Sequence, residues 1–302
     1  MDKYEVKLSF IIVNFNGMSD TLALIDSVYK AKLKFSHEII VIDNGSKNNE
    51  FEAIKMRYPS IKGLYHTENL GFAGGNNLGI DIAVGDYFYF INNDTLLPQE
   101  ASVEIAGMMT FLAMHPWVGG LSPKILFGEP ENTLQFAGST PLTKLTLRNK
   151  QLGYGELDKG QYDELKPIPY LHGAAMMLPK QVIQRVGKMP AFYFLYYEEL
   201  DWSVTIRQSY ELFYYPDAHI YHKESASTGR DSPLKMFYLS RNRIIFAARN
   251  CKGSDKVYAL IYLVFLAGMW QALKLSLKGQ LTLLGAHLRG MGSGLSWFQK
   301  VR

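Results

Sequence analysis

YFYFINNDTLL, residues 87–97, drives a run of aromatic and β-branched side chains straight into two amides and a carboxylate. Tyr87 to Ile91 is short, β-rich and bounded by Gly85 before it and Pro98 after it, which predicts a buried strand. A carboxylate at the exit of such a strand is well placed to hold a metal or a ligand hydroxyl. Asn-Asp-Thr is equally ordinary turn chemistry. On its own the stretch leaves both readings open.

Around it, strand-like and helix-like segments alternate through the first 125 residues. KLSFIIVNF precedes the helical SDTLALIDSVYKA, HEIIVID precedes NNEFEAIKMRY, and IKGLYH leads through a Gly/Asn loop into a helix over NNLGIDIAV. After DYFYFIN come QEASVEIAGMMTFLAM and WVGGLSP. Strands spaced by helices predict a parallel sheet covered on both faces, with ligands beyond the carboxyl ends of the strands. Asn14, Asp43, His66 and Asn92 to Asp94 all fall at such ends. Residues 126–168 are polar and irregular and read as excursions over the sheet. Order returns with IPYLHGAAMMLP, KQVIQRVG, AFYFLYYEELDWSVTIRQ and ELFYYPDAHIYH, without an internal repeat.

A chain of 302 residues with 47% hydrophobic and 20% charged residues is long enough for one large α/β domain with an appendage. One cysteine, Cys251, excludes an internal disulfide framework and a cysteine metal cluster. The short apolar run Leu8 to Val13 reads as a first strand rather than a secretion signal. The net charge of +4 is unevenly spread: residues 235–302 hold eleven Lys or Arg against one acid, Asp255. Residues 257–273, VYALIYLVFLAGMWQAL, carry no formal charge over 17 positions, the lower edge of a membrane span. Lys274, Lys278 and Arg289 follow, and an apolar helix joined to a basic amphipathic one suits a membrane interface. A core helix or a dimer contact is the alternative.

Four motifs carry candidate chemistry. Asp43, closing HEIIVIDNGS, can accept from an imide N–H or a ribose hydroxyl, or it caps the turn or helix that follows. ENLGFAGGNNLGI has four glycines whose N–H groups could line an anion site, though it is neither a Walker loop nor a G-x-G-x-x-G turn. YYEELDW sets Glu198, Glu199 and Asp201 among aromatic residues, an arrangement that raises carboxyl pKa values and suits sugar rings, or else simply starts a helix. His219 and His222 lie in an extended run, so only one of the pair is expected to reach a site.

LSFIIVNFNG, EIIVIDNGS, ENLGFAGGNNLGI, YFYFINND, HGAAMMLP, YYEELDWSVTIRQSYELFYYPDAHIYH and YLSRNRIIF together resemble the family 2 glycosyltransferases, in order over residues 8–250 or so. More narrowly they look like the bacterial rhamnosyltransferase-like branch. The resemblance implies a GT-A fold, a nucleotide-sugar donor, a divalent cation (Mg²⁺ or Mn²⁺) and inversion at the anomeric carbon. Asn92-Asn93-Asp94 sits where the family has its D-x-D-like motif, so Asp94 matches the metal-binding carboxylate and Asn93 the group near the ribose and phosphate. Phe15 and Asp43 fall where the family holds the base, with Val13 in the same nucleotide-sugar site. The loop from Asn69 to Asn76 lies close to the nucleotide. His222 matches the histidine that completes the metal site in some members. Glu199 matches the catalytic base, one methylene longer than the usual aspartate. Acceptor candidates are His172, Glu198, Asp201, Trp202, Arg241 and Arg243, the two arginines because guanidinium forks bind phosphate.

The expected architecture is therefore a GT-A domain over 1–250, its nucleotide-sugar half 1–125 and its acceptor half 126–250, with a basic amphipathic tail over 251–302. The expected activity is inverting transfer of one sugar, rhamnose being the candidate, from a dTDP- or UDP-sugar to a lipid-linked or other glycan acceptor. The Q-x-x-R-W signature of processive synthases is absent. Expected partners are the donor, the acceptor and a membrane surface met through 256–302, at the cytoplasmic face of the bacterial inner membrane, with no nucleic acid. The competing readings are a catalytically silent sugar- or membrane-binding module of the same fold, and a nucleotidyltransferase, which needs a basic residue in the glycine loop.

Overall fold

The computed structural model describes residues 7–223 and 232–300, so the reading of the extreme N-terminus and the charge of Arg302 lie outside the described residues. β1 (Leu8–Asn14), α1 (Met18–Lys30), β2 (His37–Asn44), α2 (Glu50–Arg57), β3 (Lys62–His66), α3 (Gly71–Ile82) and β4 (Tyr87–Ile91) form an alternating series. It is followed by β5 (Thr95–Leu96), α4 (Ala101–Met114), β6 (Val118–Phe127), β7 (Leu134–Phe136), β8 (Lys166–Pro167), β9 (Ala175–Pro179) and α5 (Lys180–Val186). A short 3₁₀ turn (Ala191–Tyr193), α6 (Glu198–Ile206) and β10 (Glu211–His222) complete the sheet region.

The strands join one sheet in the order β3-β2-β1-β4-β9-β6-β10-β5, with β7 beside β6 and β8 beside β10. β3, β2, β1 and β4 are mutually parallel, as the alternation predicts. Beyond β4 the sheet turns mixed, because β9 runs antiparallel to both β4 and β6 while β6 and β10 are parallel. One apolar core runs through both halves, from Phe10 and Ile40 in the parallel part to Leu121, Met177 and Ile220 in the mixed part. Strands such as FIIV and YFYF, apolar on successive residues, are what a sheet covered on both faces requires.

The glycine-rich stretch departs from its expected form. Rather than a loop leading into a helix, it is the helix itself from Gly71 onward. Its glycines serve close packing on β1: a Cβ on Gly75 would stand 2.7 Å from Val13 Cγ1, and one on Gly79 would stand 2.4 Å from Ile11 Cγ2. At its N-terminal end, where helical N–H groups have no partner within the helix, Gly71 N donates to Asn69 Oδ1 and Phe72 N to Phe194 O.

The C-terminal helices are α7 (Pro233–Asn250), α8 (Gly253–Ile261), a π-helical segment (Tyr262–Gly268), α9 (Met269–Leu277) and α10 (Leu281–Lys300). α7 starts with the Ser232 side chain accepting from Lys235 N and Pro233 in its first turn, a strong N-terminal signal. A second apolar cluster joins these helices to the body through Tyr193, Phe246, Ala259 and Leu263. Gly253–Leu277 is long and apolar enough to cross a membrane by length and composition, yet only 17% of its apolar window is buried. A core helix of a soluble domain would be mostly buried, which rules out that alternative.

Candidate active site

A cavity of about 490 Å³ opens beyond the carboxyl ends of β1 and β4, where the sheet changes sense. One wall is donated by β1 and α3, through Val13, Phe15, Asn69 and Asn76. Phe15 is 41% exposed, a large ring offered to solvent at the mouth. The floor is Asn92, Asn93 and Asp94, and the far wall comes from His172, Glu198, Glu199 and His222.

β-pairing brings Asp94 to His222. β5 and β10 run antiparallel with Thr95 opposite His222, so Asp94, one residue earlier, lies against the imidazole. Asp94 Oδ1 is 3.2 Å from His222 Nε2, and both side chains are nearly buried. Gln135 Oε1 lies 2.7 Å from His222 Nδ1. An amide oxygen there assigns the proton to Nδ1 and leaves the Nε2 lone pair facing a carboxylate. Two acceptors held this close need a cation between or beside them, either a proton or a metal. Among the described residues no group of three or more His, Cys, Asp or Glu could hold a metal. One carboxylate and one imidazole still suit a first-row divalent ion such as Mn²⁺ that takes the rest of its shell from water and substrate phosphates.

Asn93 lines the cavity with its amide nitrogen committed to α1, donating to Gly17 O at 3.3 Å and to Thr21 Oγ1 at 3.1 Å. A Cβ on Gly17 would sit 2.5 Å from that nitrogen, so the close approach of Asn93 depends on glycine there. His172 Nδ1 accepts from Ala174 N, which puts the proton of the neutral ring on Nε2. Burial, helped by His222, pushes its pKa down to about 3, so it remains a neutral donor.

Glu198 and Glu199 open α6. Burial raises the pKa of Glu199, partly offset by the backbone amides of Glu199 and Leu200. Glu198 is 2% exposed, and burial, then the neighbouring Glu199, raises its pKa well above the usual carboxyl value. One Glu198 oxygen has no hydrogen-bond partner. In both carboxyls burial favours the neutral form, more strongly in Glu198 than in Glu199.

What aims this pair is a turn in left-handed conformation. Phe194, Tyr196 and Tyr197 have φ of 68°, 68° and 78°. Non-glycine residues there cost about 1–3 kcal/mol each and persist only when the surroundings over-determine them. Asn242, fully buried, donates through one amide nitrogen to the carbonyls of Tyr193, Leu195 and Tyr196 at 2.7–3.0 Å. Arg241 adds bonds to Phe192 O and Tyr193 O, and Phe72 N donates to Phe194 O from the other side. Asn242, Gln135 and Gln151, which meets His172 Nε2 at 3.3 Å, were not singled out from the sequence. Only Asn242 left a signal, as the centre of the SRNR stretch.

Several expected site residues lie elsewhere. Asp43 is fully buried and does not line the cavity; its oxygens accept from the amides of Ser46, Glu50 and Phe51, so it caps α2. Asn44, the next residue, lines the cavity instead. Asp201 is 1% exposed and spends its carboxylate on Arg249 Nε at 2.7 Å and Asn250 Nδ2 at 3.3 Å. Trp202 is a core residue, edge-on to Phe90 and donating to Gly187 O. The Arg241 guanidinium is taken up by the carbonyls of the turn, and Arg243 donates to Thr146 O. Neither arginine lines the cavity, because both guanidinium groups are spent on backbone carbonyls of the chain. Of the two histidines, His219 turns away to Glu104 Oε1 at 2.9 Å, which leaves His222 as the one in the site.

The sheet order and cavity place the chain among known folds. Over 97% of its length it superposes on 88% of a mannosyltransferase from Pyrobaculum calidifontis solved with GDP-Man and Mn²⁺, at 15% identity and a TM-score of 0.57. It covers 81% of S. aureus TarS 1–349 in complex with UDP, at 16% identity and a TM-score of 0.55. The fold is GT-A. Residues 9–110 match the model of glycosyl transferase family 2. The chain carries a family 2 glycosyltransferase domain. The chain is 27% identical over 207 residues to a low-salt glycan biosynthesis hexosyltransferase of Haloferax volcanii. The match takes in 67% of this chain and spans 62% of that relative's length. It is 23% identical over 239 residues to an N-acetylglucosaminyl-diphospho-decaprenol L-rhamnosyltransferase of Mycobacterium tuberculosis, covering 71% of this chain and 76% of the other.

Proposed function

We propose that this family 2 chain is an inverting, metal-dependent glycosyltransferase that adds a single sugar, rhamnose being the candidate. The donor is a dTDP- or UDP-sugar, and the acceptor is a lipid-linked glycan presented at the cytoplasmic face of a bacterial inner membrane during cell-surface polysaccharide synthesis. One observation carries the reading: Glu199, a carboxyl with a raised pKa, lines the same cavity as the Asp94–His222 pair. The solved relatives with UDP or with GDP-Man and Mn²⁺ support a nucleotide-sugar donor. The mycobacterial rhamnosyltransferase, named for a diphospho-decaprenol acceptor, supports the sugar and the lipid-linked substrate.

In this reading Phe15 takes the base against its ring, and Asn69, Asn76 and Asn93 line the path of the ribose and diphosphate. A divalent cation, held by Asp94 and His222, would neutralise charge on the departing nucleoside diphosphate. Glu199 removes the acceptor hydroxyl's proton as that oxygen attacks the anomeric carbon and the carbon–oxygen bond to the diphosphate breaks. A positioned base of this kind contributes about 10²–10⁴-fold. Glu198, whose neutral form burial favours, and His172 line the cavity where sugar or acceptor hydroxyls would sit, and single displacement needs no carboxylate nucleophile.

Calorimetric titration of UDP, dTDP and GDP, each with Mn²⁺ or with EDTA, tests the donor half of the proposal. Metal-dependent binding of a pyrimidine diphosphate, lost in Asp94→Ala and kept in Glu199→Gln, is expected. Transfer to a lipid diphosphate acceptor must be lost in both variants; full activity in either would overturn the mechanism. Folded protein that binds none of the three nucleotides is the silent module.

A further inference from the structure

The apolar helix at the C-terminal end presents one continuous outer stripe. Tyr258, Ile261, Phe265, Met269, Leu273 and Leu277 recur every three or four residues and are 48–80% exposed, with Trp270 at 67% beside them. The inner face is as regular: Ala259, Leu263, Gly268 and Leu275 are buried. The five-residue step from Leu263 to Gly268 falls in the π-helical segment.

The inner face is fastened along its length. Gly268 O lies 3.0 Å from His287 Nε2 on α10, and a Cβ on Gly268 would meet Met291 Cε at 2.5 Å. α10 in turn lies against α7: His287 Nδ1 is 2.7 Å from Ser240 Oγ, and Cβ atoms on Gly290 and Gly294 would stand 2.4 Å from Phe237 O and 2.8 Å from Arg241 O. Trp297 stacks near Phe192 at 5.6 Å. A helix backed in this way cannot pass through a bilayer alone. It would have to take α10 and α7 with it, including Arg241, which holds the active-site turn.

We infer that Gly253–Leu277 lies flat in one leaflet of an anionic lipid bilayer, the stripe from Tyr258 to Leu277 embedded and the rest of the chain on one side. Charge complementarity selects the partner: Lys252 and Lys256 stand at one end of the stripe, Lys274 and Lys278 at the other, and Asp255 is the single acid in the helix. Lysines flanking an apolar stripe match anionic headgroups around an acyl layer. A second copy of this chain would bring the same lysines against each other.

The seat also shares a wall with the active site. An apolar groove of about 380 Å³ runs between Leu145 and the helix at Tyr258, Ile261 and Leu266. Leu145 belongs to the segment whose two ends, Ser139 and Asn149, line the catalytic cavity. The mouth of the cavity is thereby held at the leaflet surface, where a lipid-anchored acceptor is delivered. That last step rests on the proposed function; the seat itself does not.

The full chain is mixed with vesicles of phosphatidylcholine alone or with added phosphatidylglycerol, and co-sedimentation is measured. Binding to the mixed vesicles is expected, weakened by salt, with each Lys→Ala among the four costing about fivefold and Phe265→Glu abolishing it. Calorimetric binding of nucleotides is to remain unchanged in Phe265→Glu, so loss of the seat and loss of donor binding are separately visible. In a Cys251→Ser background, cysteines placed at Ser254 and Lys278 should both react with an impermeant maleimide added outside. Protection of one alone means a spanning helix and overturns the inference. So does a failure to bind either vesicle, including the case of a dimer that Phe265→Glu dissociates.

Discussion

Replacing Asn242 with leucine keeps the side-chain volume and removes both N–H donors that hold the turn before Glu198. Tyr193 O retains a partner in Arg241, while Leu195 O and Tyr196 O lose the bond that the amide supplies. A buried carbonyl left without a donor costs about 1–3 kcal/mol. Losing the bonds to Leu195 O and Tyr196 O, in part replaced by water through the cavity, costs about 2–4 kcal/mol. For a domain of this size about 2 °C of Tm accompanies each kcal/mol, so a thermal scan should show a fall of about 4–8 °C. Asn242→Asp should be worse than leucine, since it turns carboxylate oxygens toward carbonyls. Hydrogen exchange should accelerate locally at the amides of the turn and of the first turn of α6, ahead of any change in the sheet. A Tm within about 1 °C of the native chain, or protection lost evenly, would show that the turn holds itself.

Three further outcomes follow from the same geometry. Glu198 has a folded-state pKa raised by burial, so its contribution is complete below the ordinary carboxyl pKa and is lost as pH rises through the folded value; Glu198→Gln should therefore unfold at higher urea than the native chain at pH 8, with the difference vanishing at pH 4 (about 0.3 unit below the model-peptide Glu value). Gln135→Leu leaves His222 without the group that sets its tautomer, and the Mn²⁺ concentration needed for nucleotide binding should rise about 10–100-fold in calorimetry, while an unchanged requirement would remove His222 from the metal site. Gly17→Ala places a methyl where Asn93 Nδ2 now sits at 2.5 Å and should weaken nucleotide binding with little change in Tm; equal affinity would mean that Asn93 does not line the donor path.

The parallel half of the sheet was readable because its strands are apolar on successive residues and punctuated by helices of clear period. The mixed half was not, since the direction of β9 depends on which neighbour it meets and not on its own residues. Asp94 and Glu199 stand at an element boundary marked by an abrupt change of polarity, which a sequence displays. Asp43 stands at such a boundary too, and there the helix-capping alternative describes its hydrogen bonds. Asp201 and Trp202 look like site residues only because they adjoin Glu199; Asp201 is spent on Arg249 and Asn250, and Trp202 packs edge-on to Phe90 in the core. Gln135 lies in the irregular stretch 126–168, where no period announces which way an amide points.

The pairing of Thr95 with His222 has a consequence for how this chain can be divided. The segment matched by the family model ends at residue 110, and Asp94 lies within it. His222 arrives more than a hundred residues later, on the last strand to be synthesised. A ribosome must release nearly the whole sheet before the carboxylate meets its imidazole, so the nascent chain cannot hold a cation through both. Grafting residues 9–110 onto another scaffold carries Asp94 across without His222, and in the proposed reading the recipient must supply an antiparallel strand at β5 ending in a donor. Divergence among such enzymes is free to proceed in the middle of the chain, as long as those two distant strands continue to find each other.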